Sequence, residues 1–217
     1  MCLRPPKNFG HESDPGAVCG FGLGRQRPIA TGNFDHEEQL NMKGILLESP
    51  VPEGKPYRDA VGYTIRAYQA TDAARLACLY KRSVLHYGPQ AYSADQVRVW
   101  AGTVCAEKIA ARSIDGRFVV VAADVADNIL GWGDLEADGH INFLYSAPEA
   151  CGRRVGSTLY GALEQHARAR SMPRLFVEAS ELAKHLFTRR GFVFLRRNDL
   201  TVEGIAIHNF SMEKRLL

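Results

Sequence analysis

From Tyr63 onward the apolar positions change period in an orderly way. Tyr63, Ile65 and Ala67 alternate with Thr64, Arg66 and Tyr68, the period of two of a half-buried strand. Thr71 then stands as the cap of a helix that places Ala73, Leu76, Ala77, Tyr80 and Val84 on one face at spacings of three and four. Tyr87-Gly88-Pro89 breaks it, and Ser93 with Gln96 forms a capping box for a second helix through Val97 and Trp100. Helical sequence continues to about Ser113. Three short apolar runs follow, Phe118 to Ala123, Ile129 to Leu135 and His140 to Tyr145, with Asp138-Gly139 marking a tight hairpin before the third. They predict three successive antiparallel strands, a meander without a crossover helix. Val155 to about Arg170 returns to helical period, carrying Val155, Leu159, Ala162, Leu163 and Ala167 on one face, and Pro173 stops it before a strand from Leu175 to Ala179. Ser180 caps a helix that ends at Gly191, and Phe192 to Arg196 with Ala206 to Lys214 predict a closing strand pair. The expected fold is mixed α/β, a mostly antiparallel sheet with helices on both faces.

Composition divides the chain. Residues 1–62 hold 16 of the glycines and prolines against 14 in residues 63–217, so a segment less than half as long carries more of them. With no sustained period, that segment cannot bury enough apolar surface to offset the entropy of ordering it, and a largely disordered extension is expected. It lacks a basic start followed by an apolar run, which speaks against a secretory signal; Met42 is a candidate internal start. The net charge of +3 is too small an excess of base to argue for nucleic acid. Apolar runs fall short of the roughly 18 residues of a membrane span, so no membrane partner is expected. Cys2, Cys19, Cys78, Cys105 and Cys151 are odd in number and contain no C-x-x-C, which predicts neither a disulfide framework nor a metal site, but reduced thiols in a cytoplasmic protein.

The informative junction runs from Phe143 to Leu159, where a strand passes through a loop into a helix start. The first turn of a helix presents unpaired N–H donors and partial positive charge, an anion cradle. Gly152 and Gly156 keep the backbone open to close approach, and Arg153 and Arg154 add cationic charge suited to phosphate.

These residues resemble the loop of the GNAT superfamily of acetyl-CoA-dependent N-acetyltransferases, roughly Pro-x-x-Gln/Arg-Gly-x-Gly-Val/Ile-Gly/Ala with one residue of slack. Pro148, Gly152, Val155 and Gly156 match; Cys151 stands for Gln/Arg and Arg154 for Gly, and neither departure removes a backbone N–H. Leu175 to Ser180, the helix ending in Phe187, Gly191 and Phe192, and Asn209 to Lys214 look like the family's next strand, helix and closing strand, so the likeness spans residues 63–217.

The resemblance implies direct acetyl transfer from acetyl-CoA to a small-molecule or peptide amine through a tetrahedral intermediate. It assigns the pantetheine contacts to the backbone of Phe143, Leu144 and Tyr145. It gives the pyrophosphate to the N–H groups of Cys151, Gly152, Arg153, Arg154, Val155, Gly156 and Ser157, with one of the dispersed arginines from Arg168 to Arg197 reaching the 3′-phosphate. An amine of pKa ~10 must lose a proton before attack, so a carboxylate is expected nearby. Glu136 is favoured, with Asp134, Glu178 and His140 as alternatives. Phe187 occupies the position where many relatives carry a Tyr that protonates the leaving thiolate; His185 and Tyr145 are substitutes. The family places the acceptor against the helices from Asp72 to about Ser113, which draws attention to Tyr87 and Tyr92, while Trp100 and Trp132 read as core. A module that binds acyl-CoA without turnover is the rival reading, and a homodimer is compatible with either.

Overall fold

A computed structural model describes residues 62–217; the expected N-terminal extension lies, but for Gly62, outside the described residues. Strand β1 (Tyr63–Ala67) is followed by helices α1 (Ala73–Tyr87), α2 (Ala94–Ala101) and α3 (Ala106–Ser113). The meander β2 (Phe118–Asp124), β3 (Ile129–Leu135) and β4 (Leu144–Ser146) comes next, then α4 (Val155–Ala169), β5 (Arg174–Ala179), α5 (Glu181–Arg189) and the hairpin β6 (Val193–Val202) and β7 (Ile205–Arg215). One sheet has the order β1-β2-β3-β4 and the other β5-β7-β6, every strand pair antiparallel. Among the described residues a single isolated parallel bridge, His140 to Phe176, joins them at one end.

The first sheet is covered on both faces because β3 alternates glycine with bulk. A Cβ on Gly131 would stand 2.8 Å from Val155 and 2.9 Å from Leu159, so only glycine lets α4 approach this closely. On the opposite face Trp132 stacks on Phe143 at 4.7 Å, and Tyr80 of α1 meets Tyr145 edge-on at 4.8 Å. Trp100 and Trp132 are both core residues.

Local signals placed most boundaries. Ser93 and Gln96 form the expected capping box on α2, and Ser180 Oγ accepts from the Ala183 N–H at the start of α5. Two expectations are corrected. Thr71 does not cap α1; it sits inside a 3-10 turn, Ala70–Asp72, and the helix that follows has no side-chain cap, while the buried Asp72 carboxylate closes the 3-10 turn by accepting the Gln69 N–H at 2.8 Å and pairs with Arg66 at 2.7 Å. The run His140 to Tyr145 is not one strand either, and the interruption proves to matter for the site.

The two sheets are also tied by α4. Lys214 on β7 reaches Glu164 at 2.9 Å, and Arg168 reaches the same carboxylate at 2.7 Å. Burial works against the charged form of Glu164, yet Lys214, Arg168 and the Tyr160 hydroxyl outweigh it and hold the carboxyl at about 2 against an ordinary 4.5. A depressed carboxyl contributes stability that is complete above pH 4.5 and disappears as pH falls toward 2. Thermal melts across that range should show Glu164→Gln less stable than the parent at pH 7 and converging with it by pH 2.

Candidate functional site

The end of β3 and the start of β4 are out of step. The Glu136 N–H donates to His140 O at 2.9 Å and the Asp134 N–H to Phe143 O at 3.0 Å, so two steps on β3 span three on the facing chain. This is a bulge at Ile141 and Asn142. Before it, the Ile141 N–H donates to Phe176 O at 2.9 Å and Phe176 returns a bond to Gly139 O at 3.0 Å, so the chain is still paired with β5. Beyond it, Phe143, Tyr145 and Ala147 turn their backbones to β3, and by alternation Leu144 and Ser146 turn theirs outward. β4 is therefore the edge of its sheet, diverging from β5 to leave a wedge. Of the three residues expected to meet a pantetheine arm through their backbones, Leu144 offers its groups to the wedge, whereas Phe143 and Tyr145 spend theirs on β3.

Buried Asp134 pins the bulge. Its carboxylate accepts the Phe143 N–H at 2.5 Å, lies 3.4 Å from the Asn142 amide and pairs with Arg117 at 2.7 Å. Burial pushes this carboxyl above the ordinary range, with Arg117 pulling against it. Asp134 is thus a structural group and not a base facing the wedge. Asp134→Ala should cost about 3–5 kcal/mol in urea unfolding, because it leaves Arg117 without its closest buried countercharge and the bulge without its acceptor.

At the closed end of the wedge a buried histidine links two carboxylates. His140 Nε2 is 2.7 Å from Glu178, its Nδ1 is 3.2 Å from Glu136, and its ring stacks on Phe176 at 4.8 Å. Glu136 also lies 3.4 Å from Arg117. Glu178 follows the last bridging residue by two positions, where the strands have begun to part, and remains partly exposed. The hairpin thus brings Glu136, His140 and Glu178 into one cluster, a convergence across 38 residues that no local spacing foretells.

At the open end β4 runs through the turn Pro148–Ala150 into α4. The Cys151 N–H donates to Pro148 O at 3.1 Å and the Arg153 N–H to Ala150 O at 3.2 Å, so these two amides close the turn. The first helical bond is from the Thr158 N–H to Arg154 O at 3.0 Å, which leaves the N–H groups of Arg154, Val155, Gly156 and Ser157 at the helix start without intrahelical acceptors. Arg154 caps the helix with φ at +58°, a left-handed conformation that glycine adopts more readily, the physical reason a glycine suits this position. A Cβ on Gly156 would meet nothing within 4 Å. Open space beside donors without intrahelical acceptors fits a diphosphate.

Of the other charged groups, Arg190 reaches Ser157 O at 3.4 Å and lies over the Tyr160 ring, beside this helix start. Arg168, Arg174 and Arg197 are engaged instead with Glu164, Glu213 and Asp199. Arg153 lies over the Tyr63 ring. The Tyr63 hydroxyl also contacts Thr158 Oγ1 at 2.9 Å, bracing the loop from β1. Tyr87 stands against the loop, its hydroxyl pushed above the ordinary value by burial and by Cys151 and Glu149 beside it. Tyr92 is buried and structural: its hydroxyl accepts the Glu181 N–H at 2.8 Å, and burial pushes its pKa up to about 12. Phe187 is fully buried against Phe192 and Tyr160, Tyr145 is equally buried, and His185 is on the exposed side of α5. Among the described residues no group of three His, Cys, Asp or Glu side chains is arranged to hold a metal, and no helix is long and apolar enough to cross a membrane.

A wedge opened by a bulged edge strand thus leads into a helix start whose first N–H groups have no intrahelical acceptors. Residues 89–215 match the Acetyltransferase (GNAT) domain family. A GCN5-related N-acetyltransferase from Rhodopseudomonas palustris is 33% identical and superimposes with a TM-score of 0.67, covering 75% of this chain and all of that one. An uncharacterized N-acetyltransferase of Escherichia coli K12, YafP, is 28% identical over 151 residues, 68% of this chain and 93% of its own. The PaiA N-acetyltransferase of Thermoplasma acidophilum, solved in complex with coenzyme A, shares the fold at 17% identity and a TM-score of 0.59 over 71% of this chain and 99% of that one. The chain belongs to the GNAT acetyltransferase family.

Proposed function

We propose that this protein transfers the acetyl group of acetyl-CoA directly to the nitrogen of a small-molecule or peptide amine, as a cytoplasmic enzyme that needs no metal, with residues 63–217 as the catalytic domain. The observation that carries this reading is the continuous path from the outward edge of Leu144 and Ser146 to the orphan donors of Arg154, Val155, Gly156 and Ser157. Bound there, the cofactor supplies an acyl carbonyl activated as a thioester. The chain supplies position and charge. Outward N–H groups of β4 hold the arm, and one of them, developed as an oxyanion donor, polarises the carbonyl. Gly152 adds an N–H at the loop, and Arg153, Arg154 and Arg190 supply cationic charge around the phosphates.

The incoming ammonium must break an N–H bond before attack. Glu178, partly exposed where the strands part, takes that proton as the catalytic base; His140 Nε2 receives it at 2.7 Å and passes the charge from Nδ1 to Glu136, which serves as the outer proton acceptor. No hydroxyl stands at Phe187 to protonate the departing sulfur; a thiol of ordinary pKa ~8.5 can leave as the anion, and the second proton of the attacking nitrogen, shed as the tetrahedral intermediate collapses, passes to water.

Calorimetric titration of acetyl-CoA into the full chain, with free coenzyme A in parallel, tests the cofactor before the acceptor. Saturable binding near micromolar strength, about −8 kcal/mol, is expected. No heat and no thermal stabilisation at millimolar cofactor would overturn the reading. The missing hydroxyl at Phe187 favours, as second reading, a module that binds acyl-CoA without turnover; release of coenzyme A dependent on added amine, followed by mass spectrometry, separates the two.

A further inference from the structure

The β6 strand is the outer edge of its sheet, ten residues long, and its N-terminal Val193, Phe194 and Leu195 are 61%, 52% and 54% exposed. Among the described residues no strand covers that edge, and an uncovered edge presents unpaired backbone groups to another strand. The β6–β7 turn fixes which backbone groups that edge presents. Glu203 and Gly204 both have positive φ, a two-residue turn that closes on Val202 and Ile205 as a hydrogen-bonded pair. Counting back by twos, Val202, Leu200, Asn198 and Arg196 face β7, whereas Thr201, Asp199 and Arg197 turn their N–H and C=O groups outward. The same alternation explains why His208 O and Ala206 O, past the end of β5, point away from β6 and are taken by the Tyr92 hydroxyl at 3.4 Å and the Gln96 amide at 2.8 Å.

We infer that β6 pairs antiparallel with β6 of a second copy of this chain, about a two-fold axis through Asn198, joining two three-stranded sheets into one of six strands. Two copies of one strand can pair only in registers that set outward-facing residues opposite one another. Among these, one register places Arg197 opposite Arg197 and another Asp199 opposite Asp199. The register centred on Asn198 instead sets Arg197 opposite the second copy's Asp199, and repeats that pair on the other side of the axis. Arg197 and Asp199 are 54% and 75% exposed and pair with each other at 2.8 Å within one chain, so both project on one face, where this solvent-exposed pair can be exchanged for the equivalent pair across a two-fold axis. Opposite charges directly across a strand pair favour it and like charges oppose it, so these two residues select this register over its neighbours. The exposed triplet Val193, Phe194 and Leu195 then lies beside the turn end of the second copy's β6, which gives its apolar surface a place to go. A bulge between Phe194 and Arg196 limits regular pairing to the stretch from Arg196 onward, so the edge accepts one partner in one register and not an open series.

Sedimentation equilibrium of the full chain tests this. The parent is expected at twice the 24.0 kDa chain mass. Asp199→Arg, which sets arginines opposite arginines at both pairs, should weaken the dimer at least tenfold, and Arg197→Asp should do the same. The double exchange Arg197→Asp with Asp199→Arg should restore parental association, a result that loss of folding or a generic charge effect would not produce. A monomeric parent overturns the proposal, and so does a dimer that Asp199→Arg leaves intact, since another surface would then hold it.

Discussion

Replacing Gly156 with Asp is expected to raise the dissociation constant for acetyl-CoA by two orders of magnitude or more while leaving the fold unharmed. The expectation rests on two independent facts. A Cβ at this position meets nothing within 4 Å, so the larger residue enters without collision. The position is also the second residue of α4, whose partial positive charge favours a carboxylate, so thermal stability should hold or rise slightly. The same carboxylate would stand where the phosphates are proposed to bind. Two unit charges about 4 Å apart at an effective dielectric near 20 repel by roughly 4 kcal/mol, which is close to a thousandfold in affinity. Calorimetry and a thermal melt on one preparation decide the matter. Unchanged affinity in a folded variant would remove the helix start from the cofactor site.

Glu178→Gln is the second large effect. The substitution keeps the shape of the side chain and a hydrogen bond to His140 but cannot accept a proton from an ammonium. Turnover should fall by about 10²–10⁴, the usual contribution of a positioned base, with the affinity for acetyl-CoA unchanged because the base lies at the closed end of the wedge and the diphosphate at the open end. The rise of kcat/KM with pH on the acid side should also disappear. Glu136→Gln should depress turnover less, since it removes the outer member of the cluster and not the group that meets the amine. If Glu136→Gln proves as damaging as Glu178→Gln or more so, Glu136 is itself the base; if neither changes turnover more than twofold, the proton leaves by another route.

Much of this architecture was legible in the residues because it depends on neighbours three or four places apart. The meander, α4, β5 and the Ser93 and Ser180 caps follow from side-chain period and capping chemistry, both of which act within one turn. The strand–loop–helix junction from Pro148 to Ser157 was legible for the same reason, since a proline turn and glycines between two periodic segments mark it locally. Thr71 was misplaced because a 3-10 turn, Ala70–Asp72, precedes α1, held by the pairing of buried Asp72 with Arg66 on β1.

What the sequence determined by itself is therefore the order and type of the elements and the position of the loop proposed here to bind phosphate. The tertiary structure alone decided where β4 leaves β5, since a bulge is a mismatch between two paired chains and has no signature in either one. It consumed Asp134 in pinning that bulge, turned Leu144 rather than Phe143 or Tyr145 toward the wedge, and brought Glu178 to His140 and Glu136 from a strand 38 residues away. Period fixes which face of an element is buried, because that is set by geometry within the element. Register fixes which backbone edge is free and which side chains meet, and register is chosen only when distant segments pack.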